Sequence, residues 1–342
     1  MIEIYQQLHT YVFDPDRIPY AIAAIFLTMV VGMVTGPLAG NANPLIWGVL
    51  DGMFGGFGGK MDRLHRSKHD LMLRGFFFAV FVLVFCLVVA KFIEKLTILY
   101  PFHGFSEVLA LSILITSGSV WFATLKIYFA LSKKEMGKGA YYIVSRSTRV
   151  DLNSVDDYGI TRTAMGFLAR SFDKGLVNPV FWYLVGGVPL AYVYAALGMM
   201  AWRYGKDGFG KGFGEIPLVL ERLMGIVPSL FAGILLSAIG YTGVFRRIFN
   251  LGKNGTRAPY YQGGLPLTAL AWHKNAVLGG PVKDIDGSAL RNVWVGPEGA
   301  SAKVDHKMLG IGIFTNFAAH ILFLAALFCA YLISSNYLIS LN

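Results

Sequence analysis

Apolar residues in this chain gather into continuous blocks. They neither alternate at every second position nor recur along one stripe of a 3.6-residue helix. Six blocks, at Ile18–Leu38, Gly75–Leu96, Val108–Leu131, Val177–Ala201, Gly225–Val244 and Leu309–Ser334, approach the roughly 20 residues a helix needs to cross a hydrocarbon core of about 30 Å. Unbroken apolar runs do not fit a transmembrane strand, and lipid admits only helices and closed barrels. The pattern predicts an all-α integral membrane protein. It is a polytopic helical bundle of about six transmembrane helices with large loops, forming one membrane domain over residues 1–342.

Composition agrees: 55% of residues are hydrophobic, 15% are charged, and the mean hydropathy is +0.55. The first seventeen residues, charged at Glu3, Asp14, Asp16 and Arg17, lack the basic start of a cleavable leader. Cys86 and Cys329 fall inside predicted spans, where buried thiols acting as small apolar residues are expected rather than a disulfide or a zinc site. The net charge of +10 is unevenly placed. Segments 39–74, 132–176 and 245–308 are rich in Lys and Arg, the last carrying Arg246, Arg247, Lys253, Arg257, Lys274, Lys283, Arg291, Lys303 and Lys307. The loops at 97–107 and 202–224 are poorer. The positive-inside tendency then makes the three basic segments cytoplasmic, with loop 202–224 and both termini opposite. A basic face beside anionic lipid headgroups accounts for the charge, and no nucleic-acid partner is expected.

Ionisable residues inside the spans are few: Lys91, Glu94, Lys126 and His320. That scarcity disfavours an ion or substrate channel. The lysines reach for an interface, Glu94 pairs with a neighbouring cation, and His320 reads as a hydrogen-bonded bundle residue. Gly55–Lys60 lacks the order of a phosphate-binding loop, so a flexible or re-entrant connection is expected across 44–59. Gly208–Gly214 reads as a mobile linker. His65 and His69 have helical i, i+4 spacing, but Arg63, Arg66 and Lys68 beside them oppose a metal.

Four stretches resemble one known family. They are Asn43-Pro44 followed by Lys60–Leu64; Ile143-Val-Ser-Arg146-Ser147-Thr148 with Leu152; Arg162 through Pro179, Phe181-Trp182, Gly186-Gly187, Pro189 and Tyr192; and Gly264–Pro281, with Pro266, Ala269, Ala271, Leu278, Gly279, Gly280 and Pro281. Their order and spacing are similar to those of the CobD/CbiB family. Members are bacterial inner-membrane proteins of cobalamin biosynthesis. The resemblance implies an ATP- and Mg²⁺-dependent, ligase-like step that joins an aminopropanol arm to adenosylcobyric acid, with functional loops in the cytoplasm.

Departures from that pattern are systematic. Asn43 stands for the family's early histidine, Ser147 for an aspartate, Arg170 for a glutamate and Lys174 for an aspartate. Cations at two acidic positions repel a hard divalent ion, so no metal ligands are assigned. Such cations can hold phosphate or a propionate directly. The substrate-binding candidates are therefore Arg146, Thr148, Arg162, Arg170 and Lys174, with Gly279, Gly280 and Pro281 shaping the site; catalytic residues are not assigned. Asp156-Asp157 and Asp284-x-Asp286 read as loop acids or helix caps before they read as ion ligands. Two readings stay open. One is a diverged enzyme with ATP, Mg²⁺ and a corrinoid intermediate as its partners. The other is a non-catalytic scaffold, regulator or accessory subunit working with partner membrane proteins, by analogy with the AmpE proteins.

Overall fold

The computed structural model describes residues 14–63, 65–99, 103–135, 137–206, 208–239, 244–251, 258–273 and 275–341; Glu3, Leu64, Lys253, Arg257 and Lys274 lie outside them. In chain order the helices are α1 (Arg17–Thr35), α2 (Leu45–Met61), α3 (Lys68–Leu99), α4 (His103–Ser112), α5 (Gly118–Lys133) and α6 (Lys138–Thr148). They continue with α7 (Asp157–Phe172), a π-helical turn at Asp173–Val177, α8 (Asn178–Tyr204), α9 (Glu215–Ala238), α10 (Val244–Phe249), α11 (Pro266–His273) and α12 (His306–Leu341). Five helical runs are long and apolar enough to cross a membrane: α1, α3, the run Asp157–Tyr204, α9 and His306–Ser335. Large apolar side chains such as Phe26, Phe77, Val88, Ile226 and Phe328 point outward from them, as lipid-facing residues do.

The third predicted span, 108–131, is broken. Helix α4 ends at Ser112, α5 begins at Gly118, and the two succeed each other along α1, with Gly104 against Tyr20 and Gly118 against the backbone at Met29 and Gly32. Backbone freed by a break at this depth must find partners inside the protein. Ile46 N–H donates to the Ile113 carbonyl (3.0 Å), and Thr116 N–H donates to the Gly175 carbonyl of the π turn (2.8 Å). Thr116 Oγ1 donates to the Ala42 carbonyl (2.8 Å).

The predicted span 177–201 sits astride a reversal. A straight helix through residues 157–204 would place residues 170 and 202 about 48 Å apart. Instead, Arg170 Nη2 and Trp202 Nε1 donate to the same carbonyl, that of Ser147, at 3.1 and 2.7 Å. Lys174 and Tyr194 likewise meet at Glu221. The chain folds back at Gly186 (φ −144°, ψ 27°) and Gly187 (φ 66°, ψ −162°), the second in a region essentially reserved for glycine. Arg17 Nη1 donates to the Leu184 carbonyl at this bend (3.3 Å).

That reversal corrects the expected topology. Loop 202–224 was expected opposite the basic segments, but Lys206 pairs with Asp284, Tyr261 N–H donates to the Lys206 carbonyl, and Gly208 lies near Arg291. The loop therefore shares the face of the 258–305 segment. Two other expectations differ. Residues 45–61 form a helix, not a flexible connection, and Cys329 is exposed on α12 although Cys86 is buried. On the basic face, β1 (Val150–Asp151) pairs antiparallel with β3 (Lys283–Asp284), and β2 (Leu278–Gly279) pairs with β4 (Trp294–Val295), closing a small lobe over the helix ends.

Replacing Gly187 by Ala forces a Cβ into the fold-back and is expected to destabilise the protein by about 1–3 kcal/mol. Gly56→Ala, at a helical position with open space around it, is expected to be neutral or to stabilise by about 0.5–1 kcal/mol. Thermal unfolding of both variants in detergent checks the pair.

Candidate functional site

The last carbonyls of any helix have no partner within it and carry the negative end of its dipole. Helix α6 ends at Thr148 with Arg149 left-handed (φ 58°), and the carbonyl of Ser147 becomes the centre of a buried network. It accepts from Arg170 Nη2, Trp202 Nε1 and Asn43 Nδ2 (2.9 Å). Asn43 Oδ1 accepts from Arg170 Nη2 at 2.7 Å, and Ser147 Oγ accepts from Ala42 N–H at 2.9 Å. Arg170 is 1% exposed, and a helix C-terminus is where such a cation is stabilised. Its Nη1 makes no hydrogen bond.

One turn further, Asp173 and Lys174 sit in the π turn, a feature common at functional sites because it re-aims side chains. Lys174 Nζ lies 2.9 Å from Glu221 Oε1 and 3.5 Å from Asp173 Oδ2, and donates to Ser229 Oγ (2.9 Å). Asn178 Nδ2 donates to Asp173 Oδ1 (2.5 Å), and Tyr194 OH donates to Glu221 Oε1 (2.6 Å). Gly225 leaves room for this cluster: a Cβ there would stand 2.7 Å from Lys174 Nζ. Buried charges persist only when paired and hydrogen-bonded, and both carboxylates meet that condition. Within this cluster, three buried oxygens lack a hydrogen-bond partner: Asp173 Oδ2, Asn178 Oδ1 and Glu221 Oε2.

A cavity of about 240 Å³ opens beside the cluster, lined by Arg170, Asp173, Lys174, Glu221, Arg222 and Tyr260 among others, with three cations facing two carboxylates. Burial holds the Tyr260 phenol well above its ordinary pKa, with the Glu221 carboxylate adding to the effect. Arg222 stacks on Phe209 (4.7 Å), a residue of the glycine-rich loop that the fold-back returned to this face.

Of the sequence candidates, Arg170 and Lys174 line this cavity. Arg162 lies elsewhere: its Nε donates to the Gly279 carbonyl (3.1 Å), its Nη1 to Ala302 (2.6 Å), and its guanidinium covers Trp294. It ties the lobe to α7. Gly279 (φ 88°) and Gly280 (φ 98°) turn the chain there, beside a recess of about 10 Å³, and Pro281 is exposed. Arg146 donates to the Tyr142 hydroxyl at the surface, and Thr148 bonds back to the Val144 carbonyl. Asp156 caps α7 through Gly159 N–H (2.7 Å), Asp284 pairs with Lys206, and Asp286 closes a turn on Ser288. Among the described residues, no three His, Cys, Asp or Glu side chains gather as a metal-binding group. His320 is buried, with Nδ1 at 2.8 Å from the Asn316 carbonyl.

Sequence reasoning passed over Glu221, Arg222, Asn178 and Ser229 as site residues. The available sign was the small or polar set at Glu221, Gly225 and Ser229, spaced by four along one face of α9. Starting that span at Gly225 hid it.

The family model described as CobD/CbiB protein matches residues 25–310. The cobalamin biosynthesis protein CobD of Brucella anthropi is 25% identical over 184 residues, 52% of this chain and 55% of that protein. The probable cobalamin biosynthesis protein CobD of Methanocaldococcus jannaschii is 25% identical over 272 residues, 74% of this chain and 84% of that protein. The Pyrococcus abyssi protein of the same description is 24% identical over 221 residues, 63% and 70%. No solved structure matches. With a family match across most of its length and a polytopic helical fold, the chain belongs to the CobD/CbiB family.

Proposed function

We propose that this protein works in cobalamin biosynthesis at the cytoplasmic face of the inner membrane, taking a carboxylate arm of a corrinoid intermediate into the cavity beside Lys174. The observation that carries the proposal is the charge of that cavity: three cations against two buried carboxylates, a balance that one substrate carboxylate completes. Arg222 and the free Nη1 of Arg170 are the donors available to it. Joining such an arm to an amine also needs a group that removes a proton from nitrogen as the carbon–nitrogen bond forms. Glu221 Oε2, with no hydrogen-bond partner, is the acceptor at hand. ATP would activate the carboxylate, as the family resemblance implies.

The residues present do not fit a resident Mg²⁺. Asp173 and Glu221 would be its oxygen ligands, yet the Lys174 ammonium stands between them, 2.9 Å from one and 3.5 Å from the other. A divalent ion prefers several oxygens and no adjacent cation. The same observation favours the second reading, in which the fold serves as a non-catalytic scaffold or accessory subunit.

Two experiments test these statements. Detergent-purified protein is expected to bind adenosylcobyric acid, measured by absorbance titration, with about tenfold weaker binding in Arg222→Ala, the loss typical of one charge-assisted hydrogen bond. If the wild type fails to bind the corrinoid, the scaffold reading replaces the synthase one. In the second, the Mn²⁺ electron paramagnetic resonance signal is expected to show no tight site in the wild type. One site should appear in Lys174→Met and vanish in Lys174→Met/Glu221→Gln. Tight Mn²⁺ binding by the wild type would show that Lys174 does not fill the metal position.

A further inference from the structure

A second cavity, of about 590 Å³, lies on the other side of Asn43 from Arg170, between α1, the break separating α4 from α5, and residues 36–45. No charged side chain lines it. Its rim is formed by Val31, Leu38, Leu45 and Leu109, which are 46%, 64%, 42% and 43% exposed. On helices of a membrane bundle, such side chains face hydrocarbon, so the mouth opens sideways into the bilayer. The volume equals roughly twenty waters at about 30 Å³ each, enough for one alkyl chain with a small head.

The inner end is polar, and nearly all of its hydroxyls are occupied. Thr28, Thr35 and Ser112 each donate to a carbonyl of their own helix. Thr116 donates to the Ala42 carbonyl, and Ser119 lies within 2.9 Å of Thr116 Oγ1. Ser117 differs. It is 1% exposed and lines the cavity, yet its Oγ has no hydrogen-bond partner. It occupies the N-cap of the 16-residue α5 without making a side-chain cap bond, so its hydroxyl is not committed to holding the helix. A buried hydroxyl left unsatisfied in this way calls for a partner, and the positive end of α5 beside it favours an acceptor that carries negative charge. Interrupted helices in membrane proteins present their half-helix ends to ligands for the same reason.

We propose that this cleft binds a single-chain amphiphile of fatty-acid chemistry. Its head accepts a hydrogen bond from Ser117 at the start of α5, and its chain runs along α1 and leaves between Val31 and Leu109. A phosphate head, which carries more charge than a carboxylate, is disfavoured because no Lys or Arg lines the cleft. The site is separate from the proposed corrinoid cavity. The two share a wall, since Asn43 lines the cleft while holding Arg170, and Thr116, also in the lining, bonds the π turn that carries Lys174.

The test is titration of the full chain in detergent with cis-parinaric acid, read by energy transfer from tryptophan. Saturable one-to-one binding is expected, about tenfold weaker in Ser117→Ala, which removes only the donor. It should be abolished in Val31→Trp, which blocks the mouth from a lipid-facing position, and a phosphatidylcholine bearing the same chain should not compete. Non-saturable binding, binding unchanged in both variants, or equal competition by the phospholipid would overturn the proposal. Corrinoid binding measured in the same variants keeps the two sites apart: Val31→Trp is expected to retain it.

Discussion

The carbonyl of Ser147 is the point from which the arrangement of this protein follows. A helix end buried in protein cannot turn to water for hydrogen bonds, so its last acceptors must be met by other groups of the chain. Here donors from three separate stretches converge on one oxygen: Asn43, Arg170 and Trp202. Leaving any one of these buried donors without a partner costs about 1–3 kcal/mol. The contact therefore fixes the depth of α6, the register of the two arms that flank the Gly186–Gly187 bend, and the path of residues 41–44 together. It also gives Arg170 a counter-charge without a carboxylate, namely the negative end of α6.

The charged cluster depends on that arrangement. Asp173 and Lys174 are neighbours in the chain, but Glu221 and Tyr194 reach them only because the fold-back sets α8 beside the π turn and leaves room for α9. Paired charges in a low-dielectric interior add little stability by themselves, yet removing one partner is expensive.

Much of this was legible from single residues. Arg170 and Lys174, the cations that stand at expected acidic positions, both line one cavity. Their acidic partners were hidden for opposite reasons. Asp173 lies next to Lys174 in the chain, but no spacing or motif set it apart from other loop acids. Glu221 was set aside because the apolar run after Gly225 drew the span boundary past it. Arg162 and the Gly279–Gly280 turn, far apart in the chain, do meet, but through Gly279's carbonyl and beside a recess too small for a substrate. Residue type and spacing reveal that a cation is present; they do not reveal which carbonyls have already claimed its donors.

What the sequence determined alone was the solvent of each segment. Continuous apolar runs require lipid around helices, and that requirement fixed the fold class and the approximate positions of the spans near 18–38, 75–96, 225–244 and 309–334. Only the tertiary structure decided direction and continuity. Whether a run crosses once, stops at Ser112 and resumes at Gly118, or reverses at Gly187 does not change its hydrophobicity, because all three are equally content in hydrocarbon. The choice rests on long-range partners, the Gly175, Ala42 and Ser147 carbonyls, that satisfy the freed backbone and donor groups. Those partners are distant in sequence, so the side on which loop 202–224 lies, and with it the composition of the site, was set by packing.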